Sequence, residues 1–218
     1  LLPLIFFYFS KKIEIKYLRI CFVIFVLIVL QGIVGWYMVK SGLISDTTVS
    51  HYRLSIHLSI AFLIISIIFW LIMNSKSKKN KLFFKISKSN LFFLILILLI
   101  FIQIIIGAFV SGLDAGKIYQ TWPLMGNSYL PNDLTINNFK NIVEFDNHSL
   151  VQFYHRNLAY LLVFYVLLLS LFIFKNKILM LYKPLTILLF FLFLQALLGI
   201  FTLVSGLNIY LASLHQIT

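Results

Sequence analysis

The sequence predicts an all-α integral membrane fold, an eight-helix bundle made of two parallel four-helix repeats and incomplete at both ends in this chain. Three observations point there. The 218 residues are 61% hydrophobic and only 11% charged, a balance that a water-soluble domain of this size does not tolerate. Apolar runs long enough to cross ~30 Å of hydrocarbon recur along the chain. A polar motif at the outer end of these runs also repeats, and a histidine follows each copy.

In chain order, Leu1 to Phe9 reads as the tail of a span. Complete spans follow at about 18–39, 54–73, 91–111, 150–174 and 185–205. Ile209 to Thr218 reads as the head of another. With no initial methionine and no finished last helix, the chain is expected to be a piece of a longer protein. No charged start or cleavage site marks the first apolar run as a signal peptide. The expected organisation is an N-terminal half ending over 1–75, a basic inner linker over 76–90, and a C-terminal four-helix half over 91–218.

A net charge of +12 could suggest nucleic acid, but the charges sort by loop. Lys11, Lys12, Lys16 and Arg19 occupy one loop, Lys76 to Lys88 a second, and Lys175, Lys177 and Lys183 a third. The positive-inside rule places these on the cytoplasmic or matrix side. Asp46, Asp114, Asp133, Glu144 and Asp146 fall in the alternate, outer loops. The lysine run is a topology signal before it is a lipid-binding patch. The single cysteine, Cys21, lies near an inner span end as a small packing residue, and the chain can form no internal disulfide.

The repeated motif is "QGIVGWYMVKSGL" from Gln31, "QIIIGAFVSGL" from Gln103 and "QALLGIFTLVSGL" from Gln195. Glutamine and glycine at i and i+4 share a helix face, so the glycine admits a neighbouring helix while the amide finds a partner in the bundle. The following spans carry His57, His155 and His215, each about five residues in, or ~8 Å by helical rise. Gln31 to His57 and Gln195 to His215 are one unit used twice, about 160 residues apart. The duplication places a fourth histidine, the partner of His57, upstream of Leu1.

Histidines inside a span cost several kcal/mol unless paired, which makes them functional candidates. One alone would be read as a packing residue; three at one depth suit metal ligation, and two imidazoles from facing helices can hold a haem iron. A proton relay would call for intramembrane carboxylates, which these spans lack, and zinc prefers four clustered ligands. Arg156 beside His155 and Arg53 before His57 could hold carboxylate propionates, or could snorkel to headgroups. His51 and His148 fall outside the spans as interfacial or loop residues. The outer loop from Gly112 to Ser149 is rich in Gly, Pro and aromatics, as befits a lid. Its Tyr119, Trp122 and Met125 suit an aromatic belt or a haem edge.

These stretches resemble the haem A synthase family of mitochondria and proteobacteria, in its cysteine-free type. The similarity rests on "GWYMVKSGL" from Gly35, "VSHYRLSIHL" from Val49, "GAFVSGLDAGKIYQTWPLMG" from Gly107, "VQFYHR" from Val151 and "LASLHQ" from Leu211, in order over nearly the whole chain. The resemblance implies that His155 and His215 ligate a haem b, with Arg156 beside it, and that His57 with Arg53 serves the half that binds haem O. It also implies a catalytic glutamate upstream of Leu1, at a place where the second half has Gln152.

The expected function is therefore oxidation of a methyl group of haem O to a formyl group, giving haem A for terminal oxidases. The alternative is a bis-histidine di-haem cytochrome that only passes electrons, since such ligation leaves no open iron position. An inverted-repeat transporter fits poorly with parallel repeats. Expected partners are haem O, the enzyme that makes it, an electron donor and membrane lipid, with self-association open and no nucleic acid. The expected location is a bacterial plasma membrane or the mitochondrial inner membrane, with the histidines near the outer face.

Overall fold

The computed structural model describes residues 2–42, 49–75, 90–134 and 139–218. The basic linker expected over 76–90 lies outside them apart from residue 90. The chain divides into two compact units, Leu1–Lys85 and Ile86–Thr218.

Among the described residues the structure is helical, with no strand. In the first unit, α1 (Leu2–Phe9) leads to α2 (Ile15–Gly42), and α3 (His51–Ser75) packs along α2. In the second unit, α4 (Leu91–Gly112) is followed by a long connection containing the short α5 (Phe139–Ile142). Then come α6 (His148–Lys175), α7 (Tyr182–Val204) and α8 (Ile209–Ile217). There α6 packs on α4 and α7, and α8 on α7.

Five of these helices are long and apolar enough to cross a membrane, and the protein is a multi-pass membrane protein. Their outward faces fit a hydrocarbon surrounding: Phe164 is 59% exposed and Phe193 64%, exposures that water would penalise and lipid does not. A core of Leu96, Leu162, Val166, Leu169, Ile173 and Leu185 joins α4, α6 and α7. Two hydroxyls within the helices are satisfied locally, as hydrocarbon favours: Ser170 donates to the Val166 carbonyl and Thr202 to that of Leu198.

Two boundaries differ from the sequence reading. His51 and His148, read as interfacial or loop residues outside the spans, each open a helix, α3 and α6. Asn147 explains the second case, because its side chain accepts from the Leu150 N–H and caps α6 one residue earlier. His51 is buried, with its ring against Tyr52.

At the C-terminal end of α7 the chain reverses through Gly206, whose φ of +72° is left-handed and natural to glycine. Asn208 then caps α8 by accepting from Tyr210 and Leu211. The Ser-Gly-Leu half of the repeated motif is thus, at 205–207, a helix-terminating turn.

Candidate functional site

The glycines of the repeated motif are where the histidines sit. In the first unit, a Cβ added to Gly35 on α2 would lie 3.0 Å from Cε1 of His57 on α3. In the second unit the distances are 3.1 Å from Gly107 on α4 to Cε1 of His155 on α6, and 2.9 Å from Gly199 on α7 to Cε1 of His215 on α8. Carbon atoms make favourable contact at about 3.5–4.0 Å, so a side chain at these positions would require the ring to shift. Gly32, on the same helix as Gly35, has nothing within 4 Å of its absent Cβ.

Hydrogen bonds orient two of the rings. Nδ1 of His215 lies 3.1 Å from the backbone carbonyl of Gln195, one turn before Gly199. With Nδ1 donating there, Nε2 keeps its lone pair, the tautomer a metal-ligating histidine uses. His155 is met by a side chain instead: Nε2 of Gln103 donates to the His155 carbonyl at 3.2 Å and lies 3.2 Å from its ring Nδ1. Nδ1 of His57 is buried without a hydrogen-bond partner among the described residues. The side-chain oxygens of Gln103 and Gln195 are likewise buried and unpartnered.

The arginines are already engaged. Arg53 lies over the ring of Tyr37, 4.8 Å from its centroid. Arg156 holds the connection between α4 and α6: Nη2 donates to the Tyr119 carbonyl at 2.8 Å, and Nη1 to those of Thr121 and Leu124 at 2.9 and 3.3 Å. Its Nε is buried without a partner among the described residues. Gln152, 3% exposed, donates to the same Tyr119 carbonyl at 2.8 Å.

The connection from 113 to 134 is a folded cap. Gly126 N–H donates to Thr121 Oγ1, which donates to the Leu124 carbonyl. Met125 and Ser128 form an isolated bridge, and Tyr129 hydrogen-bonds to Asn157 on α6. Met125, 1% exposed, packs inside this cap, so of the three residues considered for an aromatic belt only Trp122, 46% exposed, faces outward freely. The Leu207 side chain fills the space beside Gly116, tying the cap to the α7–α8 turn.

Asp133 completes the anchorage, accepting from Tyr119 at 2.7 Å and from Ser149 at 2.6 Å. Partial burial pushes its carboxyl up, but the Ser149 and Tyr119 hydrogen bonds outweigh that and hold it below the ordinary value. The same bond to Asp133, with some burial, raises the Tyr119 hydroxyl.

The donor set is of a chemistry that can ligate haem iron. His155 and His215 present imidazoles from α6 and α8, and His57 from α3, each backed by a neighbouring helix. The sequence reading gave the histidines and arginines but not their supports. The loop carbonyls of Tyr119, Thr121 and Leu124 were not legible as Arg156 acceptors. The constant spacing from glutamine to glycine was the signal for the histidine seats.

A family model described as cytochrome oxidase assembly protein, COX15-CtaA, matches residues 1–218. A protein of Pelagibacter ubique named heme A synthase is 44% identical over 220 residues, covering 100% of this chain and 63% of that relative. One from Wolbachia pipientis with the same name is 39% identical, covering 99% of this chain and 60% of the relative. One from Rickettsia felis is 36% identical, covering 100% and 65%. The chain thus spans somewhat under two thirds of the length of the first two relatives.

Proposed function

The chain belongs to the cytochrome oxidase assembly protein family, and from that premise we propose that the protein is a haem A synthase, oxidising a methyl group of haem O to a formyl group. The relatives' shared name supports the activity. The observation that carries it to named residues is the recurrence of one seat, a histidine ring against a motif glycine, at His57, His155 and His215.

In this reading His155 and His215 hold haem b, and His57 binds the substrate haem O. Bound iron supplies the redox chemistry. The protein's part is ligation, orientation and exclusion of water. Gln195, through its backbone carbonyl, keeps the hydrogen of His215 on Nδ1 and so leaves Nε2 for the metal. Gln103 fixes the His155 ring from its edge. Arg156 and Gln152 fasten the cap over the outer end of α6. Arg156 Nε is the guanidinium nitrogen left for a propionate, and Arg53 is the corresponding candidate beside His57. An amide at Gln152 clamps a loop where a carboxylate could act as a base, which favours chemistry in the N-terminal half and electron transfer in the other. Haem O, the enzyme that makes it, an electron donor and lipid are the proposed partners. The lysine-rich loops are placed on the cytoplasmic or matrix side, with the histidines toward the outer face.

The test is haem extraction and chromatography from membranes of a haem-O-producing host. Haem A should form with the full-length protein and vanish with His57→Ala. Protein-bound haem b with haem O left unconverted, despite good expression and an electron supply, would favour the electron-transfer cytochrome.

A further inference from the structure

We propose that Gly35, Gly107 and Gly199 are positioning residues: each sets how deeply a histidine ring seats on its neighbouring helix, and thereby fixes the ring's orientation toward iron. The inference rests on the haem reading above and goes beyond it by assigning the geometry of the ligands to residues that touch no haem.

The argument is steric. At all three positions the nearest atom to the missing Cβ is the same one, Cε1 of the imidazole, at 3.0, 3.1 and 2.9 Å. A glycine required only for helix approach would meet backbone or assorted side chains; these meet the same ring edge each time, in two separately packed units. The contact has a direction as well. Nδ1 is the nearer nitrogen at Gly35, 3.4 against 3.8 Å for Nε2, and at Gly107 Nδ1 lies at 3.6 Å with Nε2 beyond 4 Å. At Gly199 both nitrogens are at 3.4 Å, and the Gln195 carbonyl selects Nδ1. At Gly35 and Gly107 the ring thus turns Nδ1 nearer the glycine helix than Nε2, and at Gly199 the Gln195 carbonyl engages Nδ1 and leaves Nε2 for iron; at His155 the Gln103 amide nitrogen lies 3.2 Å from Nδ1 and 3.5 Å from Nε2.

The glutamine one turn earlier belongs to the same device in the second unit, supplying a side-chain nitrogen to His155 and a main-chain oxygen to His215. Only the glycine is common to all three seats. A methyl group there would lift the ring outward or rotate it, because the close contact is with the ring and the helix backbone behind it cannot retreat. For a bis-histidine haem, ring orientation governs the low-spin electron paramagnetic resonance signal and contributes to the midpoint potential.

The test uses the full-length membrane protein with Gly107→Ala, Gly199→Ala and, as control, Gly32→Ala. The first two are expected to shift the low-spin haem b signal and the potential, and to weaken haem retention about 10-fold, while Gly32→Ala matches the parent. A second arm needs no haem: thermal stability, or accumulation where a variant folds poorly, is compared for Gly199→Ala, His215→Ala and the double variant. The loss caused by Gly199→Ala should disappear once the His215 ring is gone. An unshifted haem signal in Gly107→Ala and Gly199→Ala, or an equal loss with and without the ring, overturns the inference. A parent protein without bis-histidine haem b overturns the functional reading instead, and the coupling then decides the seat alone.

Discussion

Nδ1 of His215 is held by the main-chain carbonyl of Gln195 at 3.1 Å, and no substitution at position 195 removes that acceptor. His155 depends instead on the Gln103 side chain, whose nitrogen lies 3.2 Å from its Nδ1. The two otherwise parallel motif glutamines should therefore differ under mutation. Gln103→Leu should weaken haem b retention by roughly 10-fold and move its midpoint potential. Gln195→Leu should leave both unchanged, since it deletes a buried oxygen that has no partner among the described residues. Redox titration of the purified variants checks the contrast.

Arg156 donates to three carbonyls of the 119–124 segment from one planar fork. Lysine keeps the charge but not the fork. Hydrogen bonds from charged groups contribute about 1.5–3 kcal/mol each, so Arg156→Lys should speed amide exchange across 119–126 by at least about 10-fold while leaving α7 protected. Exchange followed by mass spectrometry reads both regions at once.

Asp133 and Tyr119 give the cap two pH edges. The Asp133 carboxyl is held below its ordinary 3.8, so its contribution is complete above that value and is lost as pH falls through the lower folded value. The Tyr119 hydroxyl is raised above 10.0, so its contribution is complete below that value and is lost as pH rises through the higher folded one. Trp122 fluorescence, as a reporter of cap order, should stay flat between these edges. In Asp133→Asn the acid edge should vanish and Tyr119 should ionise at a lower pH.

Gly206 ends α7 at a φ of +72°. Alanine in that region costs roughly 1–2 kcal/mol and would disturb the adjoining Leu207, which packs beside Gly116. Gly206→Ala should lower the melting temperature and loosen the cap, without changing the ligands of haem b.

The helices were legible because hydrocarbon imposes one rule on every span: length, apolarity and internal hydrogen bonding. Starts were less so; His148 joined α6 because Asn147 caps it, and a polar opening residue is easily read as loop. The histidines stood out as costly residues at recurring positions. Their seats did not, because a glycine four residues after a glutamine reads as helix packing until His57, His155 and His215 are found against it. Arg156 was legible as a charge beside a ligand, yet its acceptors are main-chain carbonyls, which carry no sequence signature. Met125 reads as interfacial by composition, but the folding of the cap encloses it.

The most direct measurement is conversion of added haem O by the purified full-length protein in nanodiscs, with an electron-transfer system supplied, in parent, His57→Ala and His215→Ala forms. The account predicts haem A from the parent alone, with haem b retained in His57→Ala and lost from His215→Ala. Haem O converted by His57→Ala at the parental rate would contradict it.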